Sequence, residues 1–269
     1  MSNSASVPKK PSRTGIRHAG LILQARDRRV FSELVLTRLL TCLLAVRLSL
    51  FSSRKRASDR LNRLVAAGYL RRFYFGTAAH GRMAIYALSH KGATTVGAPA
   101  PAYRYRQGQL LAAEQVQHQL HISGVYLAFR SGVLPQGARF VRWLSFYRAV
   151  AEHIPLIPDG YCEVEVGLAI RCMFIEVDLG SEALRIWEEK TRNYLRLAIS
   201  GEFTRIFHQQ QFRVLVLAAS QRRLANIRRV VAESTEKLFW FATFDDINRD
   251  GAAGSIWLRP KGETLLPLF

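Results

Sequence analysis

The second half of this chain of 269 residues carries three carboxylates whose spacing suits metal chemistry. Asp159 follows Pro158 at the start of one predicted strand. Glu176 and Asp178 stand at i and i+2 on the next predicted strand, so both carboxylates leave the same face. Because hard cations take oxygen ligands, we predict that these three acids bind Mg²⁺ or Mn²⁺. Such an ion would generate hydroxide and stabilise the charge on a phosphorane.

A row of side chains on the following predicted helix completes this candidate site. Lys190 and Tyr194 stand at i and i+4, in line with Trp187 one turn earlier. The row belongs partly to the inward stripe of the helix, so we expect Lys190 to lean towards the sheet. There its ammonium would orient a water molecule or offset developing charge. The alternative for the same residues is a structural set of strand-end acids balanced by Lys190 and Arg192.

Other residues that bear chemistry give weaker signals. Glu114, His118 and His121 share one helical face, where they are either metal ligands or structural hydrogen-bonding groups at a helix–sheet seam. The three cysteines are too few and too scattered for a zinc site or a disulfide framework. The sequence has no Walker phosphate loop, no Gly-rich dinucleotide loop after a strand and no Gly-x-Ser-x-Gly elbow. These absences argue against ATP-driven, dinucleotide-dependent and serine-hydrolase functions.

The candidate site requires an α/β framework, and the periodicity of the second half predicts one in the order α-β-β-β-α-β-α-β with a mixed sheet. A near-continuous apolar strand over residues 212–220 is typical of a sheet that is covered on both faces. Ser181 is predicted to cap the helix that carries Lys190. The predicted elements are a helix over 109–131, strands over 138–146, 158–167 and 170–180, a helix over 181–200, a strand over 212–220, a helix over 220–238 and a strand over 239–247.

Charge separates the first two-fifths of the chain from the rest. The formal net charge is +19, and residues 1–110 contain 20 basic residues against three acidic ones. The remaining residues contain 19 basic and 17 acidic ones. This asymmetry predicts a polyanion-binding module joined to a more neutral one, with a basic surface that has no specific ligand as the alternative. A membrane partner is not expected, because no basic segment has a long apolar face and no run of 18 apolar residues exists.

The first hundred residues predict a winged helix-turn-helix. Helical periodicity over 26–41 and near 42–51 precedes a helix that Ser52 or Ser53 would cap and Gly68 would end. Two strands, 69–75 and 83–89, follow with a glycine-containing loop between them. The third helix would enter the major groove and the hairpin would touch the DNA backbone or minor groove. A winged helix used for protein contacts, with solvated arginines, is the alternative.

The predicted DNA-binding residues lie on this third helix and on the hairpin. On the helix, we expect Arg56, Arg60 and Arg63 to share one face, opposite the apolar face. On the hairpin, His80 adds a further polar side chain in the loop. The full predicted set is Ser53, Arg54, Lys55, Arg56, Arg60, Arg63, Arg71, Arg72 and Arg82.

These signals divide the chain into three regions. Residues 1–18 are predicted to be a disordered basic tail, residues 19–100 the winged helix-turn-helix and residues 101–269 a nuclease-like α/β domain, so that the whole is α+β or α/β in class. The lack of an apolar leader and the low cysteine content predict a reduced, cytoplasmic protein. A homodimer on DNA suits a winged helix, although no coiled-coil heptads support one.

The second half resembles the restriction-endonuclease-like nucleases, whose pattern is Pro-Asp, a spacer and then (Asp/Glu)-x-Lys. Here the pattern stands as Pro158-Asp159 followed by Glu176-Val177-Asp178, with Asp178 where the family has lysine. Some branches of that superfamily move the basic residue to the next helix, or have a Gln-x-x-x-Tyr signature there. The stretch from Lys190 to Tyr194 is similar to that signature. The resemblance implies a restriction-endonuclease-like fold in which Lys190 assists the carboxylates.

The chain as a whole resembles the replication-relaxation family, which is associated with plasmids, phages and other mobile elements. The resemblance implies DNA binding in replication, relaxation or mobilisation, together with other proteins of those processes. It leaves open whether the second domain is a metal-dependent endonuclease or the scaffold of a transcriptional regulator or replication-accessory factor. The matching stretches, spread over about residues 26–247, are RASDRLNRLVAAGYLRR, IYALSHKGA, EQVQHQL, PDGY, FIEVDLGSE, WEEKTRNY and RVLVLAASQRR.

Overall fold

The computed structural model describes residues 21–77, 81–99 and 113–269. The predicted tail, His80 and the predicted boundary segment after residue 100 lie outside these residues. The helices are α1 (Ala25–Thr37), α2 (Cys42–Arg47), α3 (Arg54–Ala66), α4 (His90–Thr95), α5 (Ala113–Arg130), α6 (Leu184–Ile199), α7 (Glu202–Phe207), α8 (Gln221–Ala232) and α9 (Phe244–Asp250). The strands are β1 (Leu70–Thr77), β2 (Gly81–Leu88), β3 (Ala138–Leu144), β4 (Gly160–Val166), β5 (Ala169–Asp178), β6 (Arg213–Ala218) and β7 (Phe239–Thr243).

The first part of the chain consists of three helices followed by an antiparallel hairpin, as the sequence predicts. Ser53 precedes α3, and its hydroxyl accepts the backbone N–H of Arg56, so Ser53 rather than Ser52 is the cap. The hairpin pairs β1 with β2 from Leu70 opposite Leu88 to Thr77 opposite Gly81. Leu40, between α1 and α2, forms an isolated β-bridge with Tyr86 and ties the helices to the hairpin.

The second part is a mixed sheet in the order β3-β4-β5-β6-β7, and it contains the predicted elements in the predicted order, with the short helices α7 and α9 in addition. Strands β3, β4 and β5 are antiparallel, whereas β5, β6 and β7 are parallel. Side chains alternate along β5, so that Met173 and Ile175 pack in the cluster that includes α5. Phe174 faces the other way and packs with Tyr194 of α6 and Leu224 of α8. The sheet is therefore covered on both faces, and the fold is of the mixed α+β class.

Several predicted element ends are wrong: the helix predicted over 26–41 ends at Thr37 and the one over 220–238 ends at Ala232, and two further ends have a visible local reason. The helix predicted from Ser181 begins at Leu184, and no side chain caps it. The Asp178 carboxylate accepts the N–H of Gly180, which holds the chain in a turn before the helix starts. The strand predicted over 239–247 ends at Thr243, whose side chain and Asp246 form a capping box that starts α9.

The two parts share one apolar cluster, in which α5 is the common element. Val30 and Leu34 of α1 belong to the same cluster as Tyr126 of α5. The Tyr126 hydroxyl also donates to the Glu33 carboxylate at 2.7 Å, and the Ser145 hydroxyl donates to the Leu36 carbonyl at 2.6 Å. The helices of the first part are thus held against α5 and against the residues that follow β3. Within the described residues, we find no helix with the length and apolar character needed to cross a membrane.

Candidate functional site

The carboxylates of β5 face α6, where three side chains of one helical row receive them. Lys190 Nζ donates to Glu176 Oε2 at 2.9 Å, and the Tyr194 hydroxyl donates to Glu176 Oε1 at 2.6 Å. Trp187 Nε1 donates to Asp178 Oδ2 at 2.8 Å. The expectation that this row leans towards the sheet is therefore confirmed. Glu176 and Asp178 leave the same face of β5, as their spacing predicts.

Asp178 is fully engaged by partners within the chain. Arg223 of α8 donates from Nε to Oδ1 and from Nη2 to Oδ2, each at 2.7 Å. The N–H of Gly180 donates to Oδ1 at 2.7 Å, and Trp187 occupies Oδ2. Burial raises the pKa of Asp178, but the hydrogen bond from Arg223 and those from Trp187 and Gly180 outweigh it, so the pKa lies below its ordinary value. Asp178 is a buried, ionised carboxylate with a fixed counter-charge.

Glu176 and Lys190 form a buried pair with a second acid at its rim. Lys190 Nζ lies 3.0 Å from Glu182 Oε2 in addition to its contact with Glu176. Burial raises the pKa of Glu176 to about 7 against the opposing effect of Lys190, and the nearby charge of Asp159 adds to the rise. Burial lowers the pKa of Lys190, but the carboxylates of Glu176 and Glu182 outweigh it and raise that pKa above its ordinary value. Lys190 is therefore charged in the folded protein.

Asp159 connects this cluster to α5. Its Oδ2 accepts the backbone N–H of Val177 at 2.8 Å and lies 3.3 Å from Nε2 of His118. The same Nε2 lies 3.0 Å from the Val177 carbonyl oxygen. His121, three residues further along α5, packs against Phe244 with ring centroids 4.2 Å apart and the rings tilted by 38°, and Glu114 is exposed. The three residues predicted to share a face of α5 therefore do not form one ligand set, and His118 is the member that reaches the candidate site.

The two β5 acids of the predicted metal centre are engaged by donors within the chain. Both oxygens of Glu176 and both oxygens of Asp178 already accept hydrogen bonds from side chains of the chain itself. Within the described ranges, no group of three or more His, Cys, Asp or Glu side chains is placed to hold a metal ion. The role of Asp159, Glu176 and Asp178 as metal ligands therefore stays a prediction. What it shows is a set of paired charges between the sheet and α6 and α8.

The contact of His118 with Asp159 gives the folded protein a pH dependence. The hydrogen bond to Asp159 raises the pKa of His118 above its ordinary value, against burial, which lowers it. The folded state thus binds this proton more tightly, and the stabilisation is present below about pH 6.5 and lost as the pH rises through the folded pKa. When the pH is raised from about 6 to about 8, we expect the wild type to lose more stability than His118→Gln does. The difference between the two losses, measured by urea unfolding, should be less than about 1 kcal/mol. Equal losses in the two proteins would contradict the assigned contact.

A second candidate surface lies at the start of α3. Arg54, Lys55 and Arg56 occupy its first turn with their side chains exposed, and Arg63 is exposed two turns later. Arg56 donates to the Ser52 hydroxyl at 3.2 Å, which orients it beside the helix start. We call these four residues, with Ser53, the α3 cationic surface.

The hairpin places its arginines differently. Arg72 is half-buried, donates to the Asn62 side chain at 3.0 Å and lies over the ring of Tyr74 at 5.4 Å. Arg71 is also half-buried, whereas Arg82 near the hairpin tip is exposed. Of the three predicted hairpin arginines, all in the described part of the chain, Arg82 is therefore the most accessible to a partner.

Arg60 corrects the predicted face of α3. It is 9% exposed, donates from Nε to Asp27 Oδ1 at 2.9 Å and donates again from Nη2 to the other oxygen and to the Ile22 carbonyl. On a helical projection Arg60 lies about 40° from Arg56 and Leu64 about 40° further, so it stands at the edge of the apolar face. The i+4 spacing of Arg60 from Arg56 led to the prediction that both side chains share one exposed face. Asp27, the one acid in the first turn of α1, is the signal that predicts the pair in retrospect.

Removal of this pair should destabilise the first part of the chain. We expect Arg60→Ala to lower the free energy of unfolding by about 3 kcal/mol, because Asp27 stays buried without its counter-charge. Urea denaturation measures the change. Arg63→Ala on the same helix is the matched control and should stay within about 0.5 kcal/mol. Equal midpoints for the two variants would show that the buried pair has no structural role.

Several basic side chains of the sheet part have carboxylate partners, whereas those of the α3 cationic surface have none among the described residues. Arg54, Lys55, Arg56 and Arg63 make no ion pair with any residue in the described part of the chain. The pairs of the sheet part, by contrast, include Arg139–Glu165, Arg142–Glu163, Lys190–Glu176, Arg205–Glu202, Arg223–Asp178 and Arg249–Asp246. The excess positive charge of the first part is thus unneutralised at the start of α3.

Comparison with known proteins identifies a family for this chain. A family model described as replication-relaxation matches residues 33–209, about two-thirds of the chain. The matched range contains α3, Asp159, β5 and Lys190, but ends before Arg223. No curated protein and no solved structure matches the chain.

Proposed function

The chain belongs to the replication-relaxation family, and from this premise we propose that it is a DNA-binding protein acting in the replication or relaxation of a plasmid or other mobile element. One observation carries the proposal: the α3 cationic surface is exposed and has no carboxylate partner among the described residues. Such a surface matches the phosphate backbone of DNA, which supplies most of the sequence-independent affinity of DNA-binding proteins.

The position of the cations on α3 strengthens the inference. Arg54, Lys55 and Arg56 stand in the first turn, at the positive end of the helix dipole, where cations are unfavourable. The helix has no acid in that turn to offset them. A phosphate at the helix start would interact favourably with the free backbone N–H groups and with all three side chains. The positive charge at the start of α3 is therefore more favourable with a phosphate bound than in the free protein.

The surrounding elements suit a winged helix-turn-helix. Arg60 and Asp27 fasten α3 to α1, and the adjoining apolar face of α3 packs Leu61 and Leu64 in the core. This leaves the first turn free to enter the major groove, where the first residues of a recognition helix contact base edges. Arg82 on the hairpin would contact the backbone alongside.

In this proposal the sheet part is a scaffold rather than a catalytic domain. Its buried carboxylates are each neutralised by a partner within the chain, as Asp178 is by Arg223 and Glu176 is by Lys190. The element order suits the restriction-endonuclease-like class implied by the Pro-Asp and Glu-x-Asp stretches. We infer that the fold has been kept while the arrangement of charges serves stability.

A metal-dependent endonuclease is the second candidate, and one observation favours it. The charge of Asp159 acts on Glu176, and Lys190 contacts Glu176, so an acid pair and a lysine are neighbours as that class requires. The occupied oxygens of Glu176 and Asp178 are the reason why we rank it second.

Binding and nicking measured in the same buffers test the proposal. We expect the full chain to bind a fluorescent DNA duplex with an affinity that falls steeply between about 50 and 200 mM salt. Calorimetry with Mg²⁺ and Mn²⁺ and a plasmid-nicking assay are run on the wild type and on Asp159→Ala/Glu176→Ala. Metal uptake and nicking that both disappear in the variant would establish the nuclease instead. Failure to bind DNA at low salt would refute the proposed function.

A further inference from the structure

A second group of arginines lies on the sheet part, far along the chain from α3. Arg213 is the first residue of β6 and is paired with Met173 of β5. Arg171 stands two residues before Met173 on β5. Trp240 of β7 is paired with Leu215, two residues beyond Arg213. Because side chains two residues apart share a face, Arg171, Arg213 and Trp240 lie on one face of the sheet at the start of β6.

Two guanidinium groups are held against one indole ring. Arg213 Cζ lies 4.5 Å and Arg259 Cζ 4.6 Å from the centroid of the Trp240 ring. Arg213 also donates to the Leu268 carbonyl, and Arg259 donates to the Glu236 carbonyl at 3.1 Å. These contacts fix both guanidinium groups but use only some of their donors.

Charge in this group is not balanced within the chain. Arg171, Arg213 and Arg259 make no ion pair with any described residue, and Glu236, whose carbonyl accepts from Arg259, has its carboxylate bound by Lys261. Burial lowers the pKa of Arg213, and the charges of Arg171 and Arg259 lower it further. The pKa values of Arg142 and Arg223, by contrast, are raised by the hydrogen bonds that these side chains donate to carboxylates. Three cations therefore repel one another at a fixed place on the surface.

A cleft lies beside two of these arginines, and the indole against which Arg213 and Arg259 are held has an unused donor. A shallow cleft of about 70 Å³ is lined by Arg171 and Arg213 together with Ile170, Cys172, Gln211 and Phe212. The indole N–H of Trp240 is buried and has no hydrogen-bond partner among the residues that the structure describes. Fixed guanidinium groups without a carboxylate are the usual means by which proteins bind phosphate oxygens.

We propose that Arg171, Arg213 and Arg259 form a second contact for a phosphate group of the DNA backbone, separate from the α3 cationic surface. This inference rests on the proposed function, because it assigns a further part of the same DNA-binding footprint. It extends that footprint from α3 to the sheet part. A DNA-bound anion would relieve the mutual repulsion of the three arginines and use their remaining donors.

Neutralisation of the two arginines with the least structural involvement tests the proposal. Arg171 is exposed and Arg259 is half-buried, so the test variant of the full chain is Arg171→Ala/Arg259→Gln, with Arg171→Glu alone as the variant least able to disturb folding. The probe is a fluorescent DNA duplex, titrated at several salt concentrations. We expect the double variant to bind about tenfold more weakly, with a log K against log salt slope smaller in magnitude by up to about 2. Arg171→Glu should weaken binding at least as much as Arg171→Ala.

Three comparisons distinguish the outcomes. Arg185→Ala/Arg192→Ala removes two exposed charges from α6 and should leave the slope unchanged; an equal loss in this control would refute a localised contact. The second contact is overturned if the slope of log K against log salt is unchanged in both Arg171 variants while a variant of the α3 cationic surface loses affinity for DNA. That outcome leaves the proposed function intact. Inorganic phosphate is titrated in a thermal-unfolding assay. Stabilisation by phosphate that requires Arg171, without any effect of Arg171 on DNA binding, would overturn the assignment to DNA.

Discussion

Replacement of Arg54, Lys55 and Arg56 together by alanine is expected to weaken DNA binding by on the order of a hundredfold at moderate salt. Each side chain stands exposed in the first turn of α3 and has no carboxylate partner among the described residues, so each charge is available to a phosphate. Loss of three contacts should also reduce the magnitude of the log K against log salt slope by about 3. Fluorescence anisotropy with a short duplex, repeated across a salt series, measures both quantities.

The same substitutions should not harm the fold. The three side chains are exposed, and removal of cations from the positive end of a helix dipole is neutral or slightly stabilising. A charge-matched control, Arg185→Ala/Arg192→Ala/Arg196→Ala on α6, tests whether net charge alone accounts for the loss. If both triple variants lose the same affinity, DNA binding depends on the overall net charge of +19, and α3 is not the recognition helix.

Arg56 and Arg60 show how far sequence alone determines this surface. Periodicity predicts α3, its cap and its apolar side, because these depend on neighbours within one or two turns. It does not decide the orientation of a residue at the edge of the apolar face. Arg60 turns inward because Asp27, 33 residues earlier, lies within reach once α1 packs against α3. Such a pairing depends on tertiary packing.

Asp178 is the corresponding example in the sheet part. Its position on β5, its face and its closeness to Trp187 follow from the spacing of a strand and of the next helix. Its main partner, Arg223, is 45 residues away, beyond a further helix and strand. The spacing of Glu176 and Asp178 suits a metal site and a pair of salt bridges equally well. The position of α8 beside β5 favours the salt bridges over the metal site, and no local sequence pattern predicts that position.

This difference leads to the prediction with the largest effect on stability. We expect Asp178→Ala to lower the free energy of unfolding by up to about 5 kcal/mol. The substitution leaves Arg223 nearly buried without a counter-charge and removes the acceptor of the buried Trp187 indole N–H. Urea denaturation followed by circular dichroism gives the change. Glu165→Ala, which breaks an exposed pair with Arg139, is the control and should cost no more than about 1 kcal/mol.

The sign of this change separates a structural carboxylate from a metal ligand. Acids gathered to bind a cation repel one another when it is absent, so replacement of one of them stabilises the metal-free protein. A higher unfolding midpoint for Asp178→Ala in the presence of a chelator would therefore contradict the scaffold interpretation. The double variant Asp178→Leu/Arg223→Met removes both charges and should recover part of the lost stability, because an apolar replacement of a buried pair costs less than a broken pair. No such recovery is expected if Asp178 and Arg223 act independently, since their individual losses would then add.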